Sequence, residues 1–478
     1  VTGAIRSREP FNARVRAALA NTVLQGALRK FKTNFVVLRA NAVRDLPEFD
    51  AIRSHARAMK DHTLAHIDLY IDAYEQKVRD SGGHVHFAPD AAAARALILG
   101  ICRRHGARTV TKGKSMVSEE IGLGAWLEQH GIESVETDLG EYIIQLRGET
   151  PSHIVAPAIH VTKDQIADDF LRAHETYPPS RDLSEPRTLL AEAREVLREK
   201  FVTADVGITG ANFLIAETGS SLIVTNEGNG DLTQTLPRVH IVVASFEKIV
   251  PTLNDAMQLV RLLPRSANGQ EMTVYTSIST GPRREGDPDG PDEYHVVLLD
   301  NGRSGMLATD FREALRCIRC GACMNHCPVY QAVGGHAYDA VYPGPIGAVM
   351  TPMIAGLEAS RDLPNASTFC GRCESVCPMQ IPLPRLMRHW RTEEFSRHLT
   401  PVTQRWGIRT WAAIARRPRL YRAATVAAMR LVGLFGRGGR FRRLPFAASW
   451  SDWRDFPAPE GDTFQSRWAK RQRQGSGR

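Results

Sequence analysis

The stretch Cys317-Ile318-Arg319-Cys320-Gly321-Ala322-Cys323-Met324-Asn325-His326-Cys327-Pro328 decides how the second half of the chain must be built. A second stretch, Cys370-Gly371-Arg372-Cys373-Glu374-Ser375-Val376-Cys377-Pro378, follows, with 42 residues between Cys327 and Cys370. Together they hold seven of the eight cysteines. The first run reads C-x2-C-x2-C-x3-C-P. Two-residue gaps let successive thiolates curl around one [4Fe–4S] cube, and the fourth thiolate leaves the loop for a neighbouring cluster. The proline favours an extended cysteine before it and keeps the loop from continuing as helix. A zinc site is a poor fit, because four ligands in separated pairs are its usual form and this run crowds too many sulfurs for one tetrahedron. Disulfides would need an oxidising compartment, of which the chain carries no sign.

Aligning the second run on the first places Cys370, Cys373 and Cys377 at the second, third and fourth positions and Ser367 at the first. Exchanging the last cysteine of each run then gives one complete set, Cys317, Cys320, Cys323 and Cys377. The other set is Cys327, Cys370 and Cys373, with no fourth thiolate. Two clusters are expected, both [4Fe–4S]. The alternatives at the second are [3Fe–4S] or a non-cysteine fourth ligand, with Ser367 the local candidate for ligand or hydrogen-bond donor. The intervening segment is longer than a compact ferredoxin hairpin needs, which predicts helical packing around the clusters.

With 478 residues, the chain is long enough for about three domains. Its 43% hydrophobic and 24% charged residues are those of a globular protein with ample core. Residues Val1 to Pro10 lack the apolar core of a signal peptide. The apolar stretch Ala424–Phe435 is too short to span a bilayer and contains Arg430. A cytoplasmic location is therefore expected. The net charge of +9 is unevenly spread: residues 401–478 hold 17 Lys/Arg against 4 Asp/Glu, and the rest of the chain is mildly acidic.

Four regions follow from the pattern: an N-terminal helical segment (1–80), an α/β domain (81–303), a helical ferredoxin-type domain (304–400) and a basic helical tail (401–478). Residues 11–80 carry a helical stripe, Phe49, Ile52, Ala56 and Met59, continued by Ile67, Tyr70, Ala73 and Tyr74, which should pack on the following domain. From residue 84, short β-like runs alternate with helices. Strands are predicted at His84–Ala88, Arg108–Thr111, Ser134–Thr137, His153–Ala156, Ala204–Ile208, Phe213–Ala216, Ser221–Thr225, Val239–Ala244, Thr273–Ser277 and Tyr294–Leu299. Helices are predicted at Asp90–His105, Ser118–His130 and Arg187–Phe201. This alternation implies layered α/β architecture with a largely parallel sheet.

Several stretches could carry chemistry. Lys112-Gly113-Lys114-Ser115 looks like the end of a phosphate loop, but Arg108 stands where such a loop needs glycine, leaving at most an anion contact at a helix start. No G-x-G-x-x-G follows a strand. The polar loops Glu217–Ser221 and Thr225–Gly230 are the best candidates for a ligand pocket, with plain turn chemistry as the alternative. Cys102 lies in a helical stripe and reads as a core thiol. In the tail, Arg419, Arg430 and Arg437 share a helical face with Arg422 near it, opposite Leu420, Leu431 and Leu434. Such a face suits an anionic membrane surface or an acidic partner, and equally a contact with the protein's own acidic body. Sparse aromatic platforms argue against nucleic acid. Residues 456–478 read as partly disordered.

Residues 112–120 (Lys112 to Glu120), Glu136-Thr137-Asp138-Leu139-Gly140-Glu141, Ala156-Pro157-Ala158-Ile159-His160 and the Glu217 and Asn226 loops resemble the LUD domain. With the two cysteine runs and the Trp-containing tail, residues 10–470 resemble the lactate utilization protein B family. That resemblance implies a sheet like those of CoA transferases and sugar-phosphate isomerases, followed by an α-helical ferredoxin domain. It implies an iron–sulfur subunit of a three-component L-lactate oxidation system, working with a cysteine-rich protein and a second LUD protein. It also implies that all seven cysteines of the two runs are cluster ligands, and that three cysteines in the second run are normal. No flavin motif is present, so substrate chemistry is expected to need a partner. The alternatives are a LUD domain that is itself catalytic through Glu217 or Glu227, and an iron or redox sensor. The four-thiolate cluster is expected to be the more reducing one, tuned by amides near Gly321 and Gly371.

Overall fold

A computed structural model describes residues 9–113, 115–436, 438–442 and 455–475. The readings placed on Val1 to Arg8, Lys114 and Arg437 lie outside these residues. The chain divides into two compact units, residues 1–393 and 394–478.

The first unit is centred on a six-stranded parallel sheet. Ten strands occur in it: β1 (His84–Ala88), β2 (Thr109–Lys112), β3 (Glu133–Glu136), β4 (Val206–Thr209), β5 (Phe213–Ile215), β6 (Ser220–Thr225), β7 (Val239–Ser245), β8 (Ile249–Val250), β9 (Tyr275–Ser279) and β10 (Glu293–Leu299). The main sheet runs β1-β10-β7-β4-β2-β3, and every neighbouring pair is parallel. Its central strands are covered on both faces, which is why β7 and β10 read as nearly unbroken apolar runs rather than alternating ones. Val239, Ile241, Val243, Val297 and Leu299 pack on one side against helices Ala91–Arg104 and Leu123–Gln129. Val242, Ala244, Val296 and Leu298 pack on the other against helix Ile67–Asp80. A smaller mixed sheet, β8-β5-β6-β9, stands beside it.

Three expectations need correction. Residues 153–156 form a loop, not a strand. His153 Nδ1 accepts the backbone N–H groups of Val155 and Ala156, both at 3.0 Å, so these donors are consumed within the loop rather than offered to a neighbouring strand. The helix predicted over Ser118–His130 is two helices, Met116–Glu120 and Leu123–Gln129, broken at Gly122 with φ 62°. Much of the segment read as disordered after residue 456 is ordered as well, with helix Phe464–Gly475.

The N-terminal helices pack on the α/β domain as expected, and they also brace the cysteine loops. Lys60, on helix Phe49–Ala65, donates to the carbonyls of Glu247 (2.5 Å) and Ile249 (3.1 Å). Arg53 on the same helix donates to the carbonyls of Cys377 (2.9 Å) and Ser375 (3.1 Å). Arg39, on helix Phe35–Arg44, donates to Val376 O at 2.8 Å. Among the described residues no further strand follows β10 until residue 440, and the cysteine region is built of short helices, with the longer Gly344–Ala355 and Leu383–Ser396 around it. The second unit contains helices Val402–Ala415 and Pro418–Gly433. Among the described residues no helix is long and apolar enough to cross a membrane.

Candidate metal centres and the cavity beside them

The loop from Cys317 to Cys323 is turned back on itself by two residues in the left-handed region, Arg319 (φ 60°) and Gly321 (φ 74°). The Arg319 N–H donates to Cys317 Sγ at 3.4 Å, and the single helical turn Ala322–Asn325 carries Cys323. The second run repeats this fold. Phe369 and Gly371 have φ 54° and 77°, the turn Arg372–Ser375 carries Cys373, and the Phe369 N–H donates to Ser367 Oγ at 3.1 Å. Ser367 thus occupies the place in the second loop that Cys317 occupies in the first.

Two cavities result. Cys317, Cys320, Cys323 and Cys377 line one. Cys327, Cys370 and Cys373 line the other, together with Ser367. The last cysteine of each run has crossed to the other run's cavity. None of the seven is in a disulfide. In the first cavity burial, assisted by the neighbouring sulfurs, pushes the free thiol of Cys320 up to about 12 and that of Cys377 up to about 11. Thiolates crowded there need a bound cation, and a cluster's iron atoms supply one, so the donor set fits.

The environments differ. Cys320, Cys323 and Cys377 are buried, whereas Cys370 is exposed. Arg39 faces Cys320 and Cys377. Arg319, which lines the first cavity, belongs to a buried ion network that joins the two halves of the unit. Arg303, fully buried, donates to both carboxylate oxygens of Glu120 (2.9 and 2.6 Å) and to Glu247 Oε1 (3.1 Å). Tyr342 O–H donates to Glu120 at 2.7 Å, and Arg319 reaches Glu247 at 3.3 Å. Burial alone would raise the Glu247 carboxyl, but Arg303 and Arg319 outweigh it and bring it down to about 2. The corrected loop at 153–156 is a second tie: His153 Nε2 hydrogen-bonds Asn325 Oδ1 at 2.8 Å, and Tyr330 O–H donates to Ser152 O at 2.6 Å.

A third cavity, of about 250 Å³, opens at the carboxyl ends of the parallel strands. Residues following β2 (Ser115, Met116), β3 (Asp138), β4 (Gly210, Asn212) and β7 (Lys248) line it, which is where an open α/β sheet places ligands. It shares Ile154 and Arg319 with the lining of the first thiol cavity.

The structure sorts the other candidate residues. Thr225, Asn226, Glu227 and Asn229 line the strand-end cavity, while Glu217–Ser221 does not. Glu217 instead accepts from Leu253 N at 2.9 Å at the start of helix Leu253–Ala267. Glu227 accepts from Leu139 N at 3.1 Å. Lys112 makes no anion site, because it is buried between Glu119 (2.7 Å) and Glu136 (2.5 Å). Ser115 caps the helix that follows, accepting from Ser118 N. Burial pushes Cys102 up to about 12 in the core. Lys248 and the Glu120–Arg303–Glu247 network carry no local sequence signal, because their partners are brought together only by the fold.

Residues 313–381 match the 4Fe-4S dicluster domain, and the class of protein is that of chains carrying such a domain. Residues 71–299 match the LUD domain, and 394–473 match the C-terminal domain of lactate utilisation protein B. The chain is 43% identical to lactate utilization protein B of Shouchella clausii over 98% of both chains, and 43% identical to that of Geobacillus kaustophilus over the same shares. It is 40% identical to the electron transport protein YkgF of Escherichia coli, again over 98% of both. The chain belongs to the lactate utilization protein B family.

Proposed function

We propose that this chain is the iron–sulfur electron-transfer subunit of a system that oxidises L-lactate to pyruvate. Cys317, Cys320, Cys323 and Cys377 would hold one [4Fe–4S] cluster, and Cys327, Cys370 and Cys373 the other, with Ser367 beside its fourth position. The observation that carries this reading is the exchange of Cys327 and Cys377 between two adjacent thiol-lined cavities. The names of the relatives support lactate utilization and electron transport; oxidation of L-lactate to pyruvate is the proposed reaction.

Lactate oxidation releases an electron pair, and the chemistry that bound clusters supply is its division into single electrons. The chain's own residues do the rest. Arg39 and Arg53 fix the Ser375–Cys377 backbone, the Arg303–Glu247 pair anchors Arg319 of the first cysteine loop to the α/β domain, and exposed Cys370 leaves the second cavity within reach of a partner. A cysteine-rich protein and a second LUD protein are the proposed companions. The basic tail is the proposed contact with the inner membrane surface, and the four regions drawn from the sequence are the proposed domains. A CoA-transferase-like sheet fits the strand-end cavity.

Iron and sulfide counting with EPR on anaerobically purified protein tests the assignment. About eight irons per chain is expected; about seven would place [3Fe–4S] at the second site, and none would overturn the reading.

A further inference from the structure

Lys248 and Arg319 line the strand-end cavity from two separate parts of the chain, the turn after β7 and the first cysteine loop. Both are more than nine-tenths buried. Arg319 uses one arm on Glu247 and stacks over the Tyr342 ring at 4.5 Å. Among the described residues, its Nη1 has no hydrogen-bond partner. Lys248 forms no hydrogen bond or ion pair among them either, so its ammonium is left to the cavity. Glu120 and Glu247 are engaged by Arg303, Tyr342 and Arg319, and the two carboxylates on the cavity wall, Asp138 and Glu227, accept from Glu141 N at 3.2 Å and Leu139 N at 3.1 Å, so none of the four is hydrogen-bonded to Lys248. A buried cation without a partner is costly, and an anion in the cavity would relieve it.

The remaining wall is mixed, with apolar side chains such as Ile223 and Leu263, the carboxylates of Asp138 and Glu227, and neutral polar groups. Asn212 uses its carbonyl on Val224 N at 3.0 Å, leaving its amide N–H groups for a ligand, and Thr225, Asn229 and Gln270 stand with it. At about 250 Å³ the space suits a small metabolite, not a dinucleotide.

We infer that the strand-end cavity is a binding site for a small carboxylate bearing a hydroxyl or keto oxygen at its second carbon, clamped by Lys248 and Arg319. The Asn212 side of the cavity takes the second oxygen. Because Arg319 also lines the four-cysteine cavity, the two sites are electrostatically coupled. An anion held there opposes addition of an electron next door, and reduction weakens the anion by the same factor. This coupling rests on the cluster assignment above; the binding site does not.

The test is calorimetry on full-length, anaerobically purified protein of measured iron content, titrated with pyruvate, L-lactate, acetate and inorganic phosphate. Pyruvate or lactate should bind more tightly than acetate or phosphate. Lys248→Met should weaken binding by about tenfold or more, and Lys248→Arg should retain most of it, with EPR spectra unchanged in both variants. Dithionite reduction should weaken binding by about tenfold, equivalent to a fall of about 59 mV in the midpoint of the four-cysteine cluster at saturating ligand. Iron-loaded protein that binds neither acid, or a Lys248→Met variant that binds them as well as the parent, would overturn the site. Phosphate binding as tightly as pyruvate would overturn the carboxylate assignment. Binding that ignores reduction would overturn the coupling alone, and protein that binds pyruvate but holds no iron would overturn the cluster reading and leave the site standing.

Discussion

The loops Cys317–Cys323 and Cys370–Cys373 have nearly the same backbone: a left-handed residue before the cysteine, a left-handed glycine after it, and one helical turn carrying the next cysteine. Their surroundings are opposite. The first buries Cys320 and Cys323 and shares its cavity with Cys377, whose backbone is held by an N-terminal arginine, while the second keeps Cys370 at the surface. Cysteine spacing therefore sets the local loop and leaves its environment open. Burial, nearby charge and access are imposed by residues far away in the chain, and these are what separate a shielded redox site from one a partner can reach.

The sharpest way to break the comparison is to remove one thiol from each side. Cys323→Ala should cost the protein about half its iron, whereas Cys370→Ser, with an oxygen donor at a solvent-accessible edge, should lose less; iron assay of the two variants decides it. Next in size, Arg303→Leu leaves Glu120 and Glu247 buried without their main partner. We expect a loss of about 3–5 kcal/mol in chemical denaturation and a first site as sensitive to oxidant as the second, read by EPR after air exposure. Ser367→Cys should make the second site like the first: any [3Fe–4S] signal should disappear in favour of [4Fe–4S], with little change in stability. The smallest effect should be with pH. Glu247 is held down at about 2 against an ordinary 4.5, so its contribution is complete above about 4.5 and is lost as the pH falls towards 2. The Arg303→Leu variant should show a flatter loss of stability over that window in acid titrations followed by circular dichroism.

Much of this was legible because short-range chemistry carries it. The cysteine spacing, the alignment of Ser367 on Cys317 and the runs of β7 and β10 are all local patterns. Others were hidden because the decisive partner lies elsewhere. His153 sits in an apolar stretch that reads as a strand until its imidazole takes up the neighbouring N–H groups. Helix Asn229–Thr235 is concealed by Gly228, Asn229 and Gly230, which read as loop. Of the two polar loops singled out, the second lines the strand-end cavity and the first does not. The main wall of that cavity comes from strand ends scattered over residues 115–248.

Because Cys377 closes the cavity that Cys317 opens, the order of synthesis matters. When Cys317, Cys320, Cys323 and Cys327 have emerged from the ribosome, the chain offers four thiols on one short loop, and Cys327 is the nearest false substitute for Cys377. The α/β domain and the helices that carry Arg39 and Arg53 are already made by then and await residues 375–377. Iron delivered before that point would meet the wrong fourth thiol, so correct loading belongs after translation of the second run, when both sites can be completed in one event.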